Sequence, residues 1–185
     1  MKKASALTVL VLAVTAVTSS MLFFHADARD VRNLKVDPYP APKVEAADQD
    51  GKTVKLEDIY RQGLTLVYFY PMAGTPGCTA QACSLRDAYE PLTKAGVHVV
   101  GVSTDKVTSQ KKFAEKNHLP FTLLADPDKR ILKAFGVGSF LGFASRQAFL
   151  IKDGKVIWRD ANASTSEQAA DVLEVLNALK TKSKP

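Results

Sequence analysis

Residues 64–87, LTLVYFYPMAGTPGCTAQACSLRD, decide the fold and contain both cysteines of the 185-residue chain. The apolar run at 64–70 predicts a strand buried on both faces, as in the centre of an α/β sheet. Apolar residues recur at helical spacing over 79–95, where Pro91 bends or ends the helix. Cys78 therefore lies at a strand-to-helix turn, where free backbone N–H groups and the positive end of the helix dipole favour a thiolate. A buried structural cysteine is the alternative, and the tight Thr-Pro-Gly turn before Cys78 counts against it.

Cys83 follows Cys78 by five positions on the same predicted helix. Residues i and i+5 of a helix differ by a rise of about 7.5 Å and a rotation of about 140°. The Cα atoms of a disulfide are rarely more than about 6.8 Å apart. The two sulfurs can therefore bond only if the first turn or two after Cys78 unwinds. The pair predicts a thiol that is oxidised and then resolved as a disulfide. A permanent structural disulfide is the alternative. A loop this short constrains the unfolded chain little, which counts against that alternative.

The remaining segments predict strands that alternate with helices and two hairpins. Asp50–Gly51, within residues 43–56, and Asp153–Gly154 have the composition of tight hairpin turns. Either Ser164 or Thr165 can cap a C-terminal amphipathic helix. The other predicted strands are 97–102, 121–125, 148–151 and 155–159, and the other predicted helices are 108–117 and 128–135. This order predicts an α/β fold with a central mixed β-sheet flanked by helices and an N-terminal β-hairpin.

The first 28 residues predict an export signal. Lys2 and Lys3 precede an apolar stretch at 6–17, and the ADA sequence at 26–28 fits a small-x-small cleavage site. An uncleaved anchor in the inner membrane is the alternative, because the apolar stretch extends to Phe24. Residues 29–42, with three prolines, predict an extended linker, and 43–185 the folded domain. We therefore expect an exported, periplasmic protein in an oxidising compartment.

Composition argues against several classes of partner. The net charge of +6 is scattered in small groups, which does not favour a nucleic-acid interface. Three histidines and two cysteines show no spacing that suits zinc, so we expect no metal. Trp158, the only tryptophan, is expected to pack at a sheet edge.

Residues 69–79, FYPMAGTPGCT, resemble the peroxiredoxin active-site signature: a proline, three residues, a threonine, two residues and the cysteine. A second cysteine five positions on is similar to the Q-type subgroup, also called bacterioferritin comigratory protein. The resemblance covers about residues 43–180. It departs at Gln147, where the family usually has a β-branched or aromatic residue and where we expect a peripheral side chain. Matching segments are LRD at 85–87, GVSTD at 101–105, FTLLAD at 121–126, FGV at 135–137 and RQAFLI at 146–151.

The resemblance implies a thioredoxin-like fold and a thiol-dependent peroxidase that needs no metal or organic cofactor. Cys78 is then the peroxidatic cysteine and Cys83 the resolving cysteine, paired in a disulfide after oxidation. Arg146 is implied to reach Cys78 from the start of a distant strand; on the residues alone it could be a solvent arginine. Thr75 is implied to offer its hydroxyl to peroxide or thiolate, and Pro71 to shield the site. From the residues alone, Thr75 could cap a turn and Pro71 could end the strand.

The implied partners are a hydroperoxide substrate and a thioredoxin-like or other dithiol reductant, and we expect a monomer. Two other functions stay open on the sequence. An exported thiol-disulfide oxidoreductase usually has two residues between its cysteines, so the four-residue gap here counts against it. A non-catalytic redox-sensing module is the other alternative.

Overall fold

The computed structural model describes residues 35–182. Its strands are β1 (Lys35–Pro40), β2 (Glu45–Ala47), β3 (Thr53–Lys55), β4 (Leu64–Phe69), β5 (Val97–Ser103), β6 (Thr122–Ala125), β7 (Ser139–Phe140), β8 (Phe143–Ala144), β9 (Gln147–Lys152) and β10 (Lys155–Asp160). Its helices are α1 (Leu56–Tyr60), α2 (Pro76–Asp87), α3 (Tyr89–Lys94), α4 (Val107–Asn117), α5 (Arg130–Ala134) and α6 (Gln168–Lys182).

Six strands form one mixed sheet in the order β1-β10-β9-β4-β5-β6. The apolar strand β4 lies inside it, parallel to β5 and antiparallel to β9. Its alternate side chains enter two cores: Tyr68 joins Cys78 and Leu85 on one face, and Phe69 joins Phe149 on the other. The predicted mixed sheet is confirmed, and it places the cysteine helix directly after a central strand.

Both predicted hairpins are confirmed. Strands β2 and β3 pair around Gly51, whose φ is +80°, and β9 and β10 pair around Asp153 and Gly154. The φ values at Asp153 and Gly154 are both positive, as a tight two-residue turn requires. At the start of α6, the Ser164 hydroxyl accepts the N–H of Glu167 at 3.0 Å, so Ser164 and not Thr165 makes this capping contact.

The prediction of a linker over residues 29–42 is wrong for its second half. Residues 35–40 form the edge strand β1, antiparallel to β10, and Ala41 is buried. Proline lacks an N–H and is tolerated at a sheet edge, where that group faces no partner strand. Because β1 pairs with β10, Trp158 does not lie on the edge strand, contrary to expectation. Its side chain is fully buried in the core cluster that contains Val172 and Leu176 of α6.

The helix predicted over 79–95 is two helices. It begins earlier, at Pro76, and breaks at Ala88, where φ is −99° and ψ is 16°. Pro91 explains the break, because its ring would clash with the Asp87 carbonyl of a continuous helix. In the separate helix α3, Pro91 lies in the first turn, where its missing N–H has no intrahelical partner to lose. Both cysteines consequently stay on the uninterrupted helix α2.

The predicted export signal lies outside the described residues. Within residues 35–182, no helix is long and apolar enough to cross a membrane.

Candidate active site

Cys78 lies in the first turn of α2, and 1% of its surface is exposed. Residues 71–75 carry the chain from β4 to this helix, and Gly74 makes the turn with a φ of +81°. Thr75 is the N-cap and Pro76 the first helical residue, where proline loses no hydrogen bond. Backbone N–H groups of a first turn have no carbonyl inside the helix, so they are available to an anion beside Cys78.

The guanidinium of Arg146 contacts the buried thiol. Its Nη2 donates to Cys78 Sγ at 3.4 Å, and its Nη1 donates to Oε1 of Gln81, one turn along α2. Sheet register explains how residues so distant in sequence meet. Gln147 pairs with Phe69, so Arg146 lies beside the end of β4 that leads into the cysteine loop. A cation at this distance stabilises negative charge that develops on the sulfur or on an atom bound to it.

Thr75 and Pro71 lie in the loop before the helix. The Thr75 hydroxyl donates to the Met72 carbonyl at 3.0 Å, so here its proton is directed at the loop and not at Cys78. Its oxygen does not cap the helix. The Tyr70 N–H donates to the Val102 carbonyl at 3.1 Å, which is the last hydrogen bond between this part of the chain and β5. Pro71 comes next and, because it has no N–H, does not continue the strand. Both residues border the cysteine loop.

Cys83 is half-buried on the same helix, and both thiols are free. Because α2 runs without interruption from Pro76 to Asp87, the helical spacing of the two cysteines applies in full. The structure thus places Cys78 and Arg146 in contact, with Thr75 and Pro71 in the adjoining loop. While α2 stays helical, this spacing keeps Cys83 out of disulfide reach of Cys78.

The profile of the AhpC/TSA family matches residues 39–159, which is more than half of the chain and includes Cys78, Cys83 and Arg146. The chain belongs to the AhpC/TSA family. Peroxiredoxin Bcp of Escherichia coli (strain K12) is 52% identical over 124 residues, which are 63% of this chain and 79% of that protein. Chloroplastic peroxiredoxin Q of Triticum aestivum is 45% identical over 118 residues, which are 63% of this chain and 54% of that protein.

Solved structures of this AhpC/TSA type have the same fold. Peroxidoxin BcpB of Mycobacterium tuberculosis matches with a TM-score of 0.72 and 33% identity, over 77% of this chain and 96% of that one. The Xanthomonas campestris bacterioferritin comigratory protein matches with a TM-score of 0.70 and 26% identity, over 77% of this chain and 99% of that one. The thioredoxin-like fold and the resemblance to Q-type peroxiredoxins are confirmed. The protein is a thiol-dependent peroxidase, which these relatives favour over the two alternative functions.

A polar network, partly buried at Asp105 and fully buried at Gln110, fixes the cysteine loop of this AhpC/TSA protein. Asp105 Oδ2 accepts the Ala73 N–H at 2.8 Å and the Ser103 hydroxyl at 2.7 Å. Gln110 Nε2 donates to Ser103 Oγ at 2.9 Å, and Gln110 Oε1 accepts the Tyr70 hydroxyl. Burial raises the pKa of Tyr70, so the phenol stays protonated and donates. The network joins the loop to β5 and α4.

Replacement of Asp105 tests this anchor. In Asp105→Ala, the Ala73 N–H and the Ser103 hydroxyl both lose their acceptor, so we expect the free energy of unfolding to fall by about 1–2 kcal/mol. Urea denaturation of the reduced protein measures the change. The control is Asp128→Ala, an aspartate on the exposed surface, which should unfold like the wild type. Equal stability of the two variants would contradict the anchoring role.

The expectation for Gln147 is wrong, because its side chain is buried and not peripheral. Its Oε1 accepts from Arg159 at 2.9 Å through Nη2 and at 3.3 Å through Nε. The Arg159 guanidinium also lies 5.3 Å from the centroid of the Phe149 ring. A polar residue is tolerated at this buried position because an arginine on the neighbouring strand satisfies its carbonyl oxygen.

Sequence reasoning missed Gln81 and Asp105, and it gave Gln110 no role. One signal was available, since Gln81 follows Cys78 by three positions and shares its helix face. A polar residue on the buried face of a helix needs a partner, so Gln81 called for a donor such as an arginine. No comparable signal links Asp105 to Ala73, because that contact depends on the path of the loop.

Proposed function

We propose that this peroxidase reduces hydrogen peroxide and organic hydroperoxides in a cycle of three steps that uses Cys78 and Cys83. The contact between Cys78 Sγ and Arg146 Nη2 at the start of α2 is the observation that carries the proposal. A thiolate is the reactive form of cysteine toward peroxides, and a cation beside the sulfur stabilises it.

In the first step, the Cys78 thiolate attacks the terminal oxygen of the hydroperoxide in line with the O–O bond. The S–O bond forms as the O–O bond breaks, so the sulfur is oxidised by two electrons and the peroxide is reduced. The other oxygen leaves with the electron pair and takes a proton to become water or an alcohol. Arg146 and the first-turn N–H groups of α2 stabilise the negative charge on this leaving oxygen. Thr75 and Pro71 border the bound peroxide, and a rotated Thr75 hydroxyl donates to it.

In the second step, the Cys83 thiol attacks the sulfenic acid of Cys78, which forms the disulfide and releases water. The first turns of α2 unwind to let the sulfurs meet. The second half of the helix has separate anchors: Leu85 is fully buried, and Arg86 Nη1 donates to the Asn117 carbonyl at 2.8 Å. Unwinding therefore stops before residue 85.

In the third step, a thioredoxin-type dithiol protein attacks the disulfide and reduces it through a mixed disulfide. In the helical form 1% of the Cys78 residue is exposed, which leaves a protein reductant no access, so unwinding also exposes the disulfide to its reductant. The Xanthomonas campestris relative is described by its alkyl peroxide reduction activity, which supports organic hydroperoxides as substrates here. The cycle is complete within a monomer, because both cysteines lie on one helix of one chain.

Amide hydrogen exchange before and after oxidation tests this cycle. In the wild type, one equivalent of hydrogen peroxide should form the disulfide and raise exchange over residues 76–83, while residues 85–87 stay protected. The matched control is Cys83→Ser, which should lose its Cys78 thiol at the wild-type rate, stop at the sulfenic acid and keep the helix protected. Unchanged exchange in the disulfide form would contradict the unwinding step.

The site of action is proposed from residues 1–28 alone. A charged start, an apolar stretch and a cleavage pattern support export to the periplasm, with an inner-membrane anchor as the alternative if the segment is not cleaved.

A further inference from the structure

Two glutamines connect the cysteine site to the last helix. Gln81 on α2 and Gln168 at the first position of α6 are both fully buried. Gln81 Oε1 accepts from Arg146 Nη1, and Gln81 Nε2 donates to Gln168 Oε1 at 2.9 Å. A relay of hydrogen bonds therefore runs from Cys78 through Arg146 and Gln81 to Gln168.

The polarity of this relay is set at the arginine. A guanidinium only donates, so Gln81 has to present its oxygen to Arg146 and its amide nitrogen to α6. Gln168 then has to accept, which directs its own amide nitrogen away. That nitrogen is buried and has no hydrogen-bond partner among the described residues. An unpaired buried donor is costly, so the orientation of Gln168 is dictated by the relay and not by its own surroundings.

We infer that Gln168 is a positioning residue for the thiol chemistry, an inference that rests on the proposed roles of Cys78 and Arg146. Gln168 fixes the amide of Gln81, and Gln81 in turn holds one arm of the Arg146 guanidinium so that the other arm lies against the sulfur. Without an acceptor at Gln168, the Gln81 amide is free to rotate and the guanidinium loses its fixed orientation.

The relay also acts on the second step of the cycle. Gln81 lies between the two cysteines, inside the segment that unwinds before the disulfide closes. Both of its hydrogen bonds break in that event, so the relay stabilises the helical, reduced form over the unwound form. Loss of the Gln168 contact should consequently slow the reaction with peroxide and speed closure of the disulfide. These two effects have opposite signs. A loss of packing that loosens α2 would change both rates in the same directions, so the test needs a packing control.

The variant that isolates the relay is Gln168→Met, which keeps the length of the side chain and removes the acceptor. It moves the unpaired donor from Gln168 to Gln81, so the overall stability should change little. Gln168→Glu is the rescue variant, because a carboxyl oxygen still accepts from Gln81 Nε2. Val172→Ala is the packing control: Val172 is buried one turn further along α6 and is not part of the relay.

The experiment uses the reduced full-length protein and hydrogen peroxide, with rapid quenching and mass analysis of the thiol, sulfenic acid and disulfide forms. In Gln168→Met, we expect the rate of thiol loss to fall about fivefold and the rate of disulfide closure to rise by a similar factor. Gln168→Glu and Val172→Ala should react like the wild type in both steps.

Two results would overturn the inference. One is wild-type rates in Gln168→Met, and the other is the same pair of changes in Val172→Ala, which would assign them to packing of α6. Failure of the proposed function looks different, because the wild type itself would then show no fast loss of the Cys78 thiol.

Discussion

Replacement of Cys78 by serine is expected to abolish peroxide turnover, with a loss of at least about a thousandfold. Serine nearly matches the volume of cysteine, so the first turn of α2 and the Arg146 contact should remain. Its hydroxyl is not ionised near neutral pH, so the variant lacks the anionic nucleophile that attacks the O–O bond. Consumption of hydrogen peroxide in the presence of a thioredoxin-type reductant measures the loss.

Cys83→Ser is the matched control for this variant, because it removes the other thiol from the same helix. It should still consume one equivalent of peroxide per chain at the wild-type rate and then stop as the sulfenic acid. The pair of variants therefore separates attack on peroxide from disulfide closure. A Cys78→Ser protein that still turns over peroxide would contradict the assignment of the nucleophile.

The position of Cys78 could be predicted because its determinants are local. A continuous apolar run fixes β4, and the Thr-Pro-Gly turn followed by helical spacing fixes the start of α2. Both Asp-Gly hairpins follow from turn chemistry in the same way. Strand β1 was missed because its prolines argue against a strand, and only its place at the sheet edge makes them acceptable.

Contacts between distant residues could not be derived from the sequence. The contact between Arg146 and Cys78 was expected from the family resemblance alone, since it depends on the register of β9 against β4. Gln168 gave no signal at all. A glutamine at the start of a helix is normally solvated, and this one is buried only because α6 packs against α2 beside Gln81.

Arg146→Met is the second large effect, with an expected loss of about a hundredfold in the rate of thiol oxidation. The guanidinium makes two contacts at once, with Cys78 Sγ and with Gln81 Oε1. Methionine supplies neither, so the charge on the attacking sulfur and on the leaving oxygen is no longer stabilised by a cation. Arg146→Lys keeps the charge but not the planar fork of the guanidinium. Its rate of thiol oxidation should therefore lie between those of Arg146→Met and the wild type, about tenfold below the wild type.

The matched control for Arg146 is Arg159→Met. Arg159 also donates to a buried glutamine, Gln147, but it stacks on Phe149 in the opposite core from Cys78. Both methionine variants leave a buried glutamine oxygen without its donor, so both should lose stability by comparable amounts. Only Arg146→Met should slow the loss of the Cys78 thiol in stopped-flow mixing with hydrogen peroxide. If the two variants reacted at the same rate, Arg146 would be a structural residue, and the stabilising charge at the sulfur would have to come from the helix N-terminus alone.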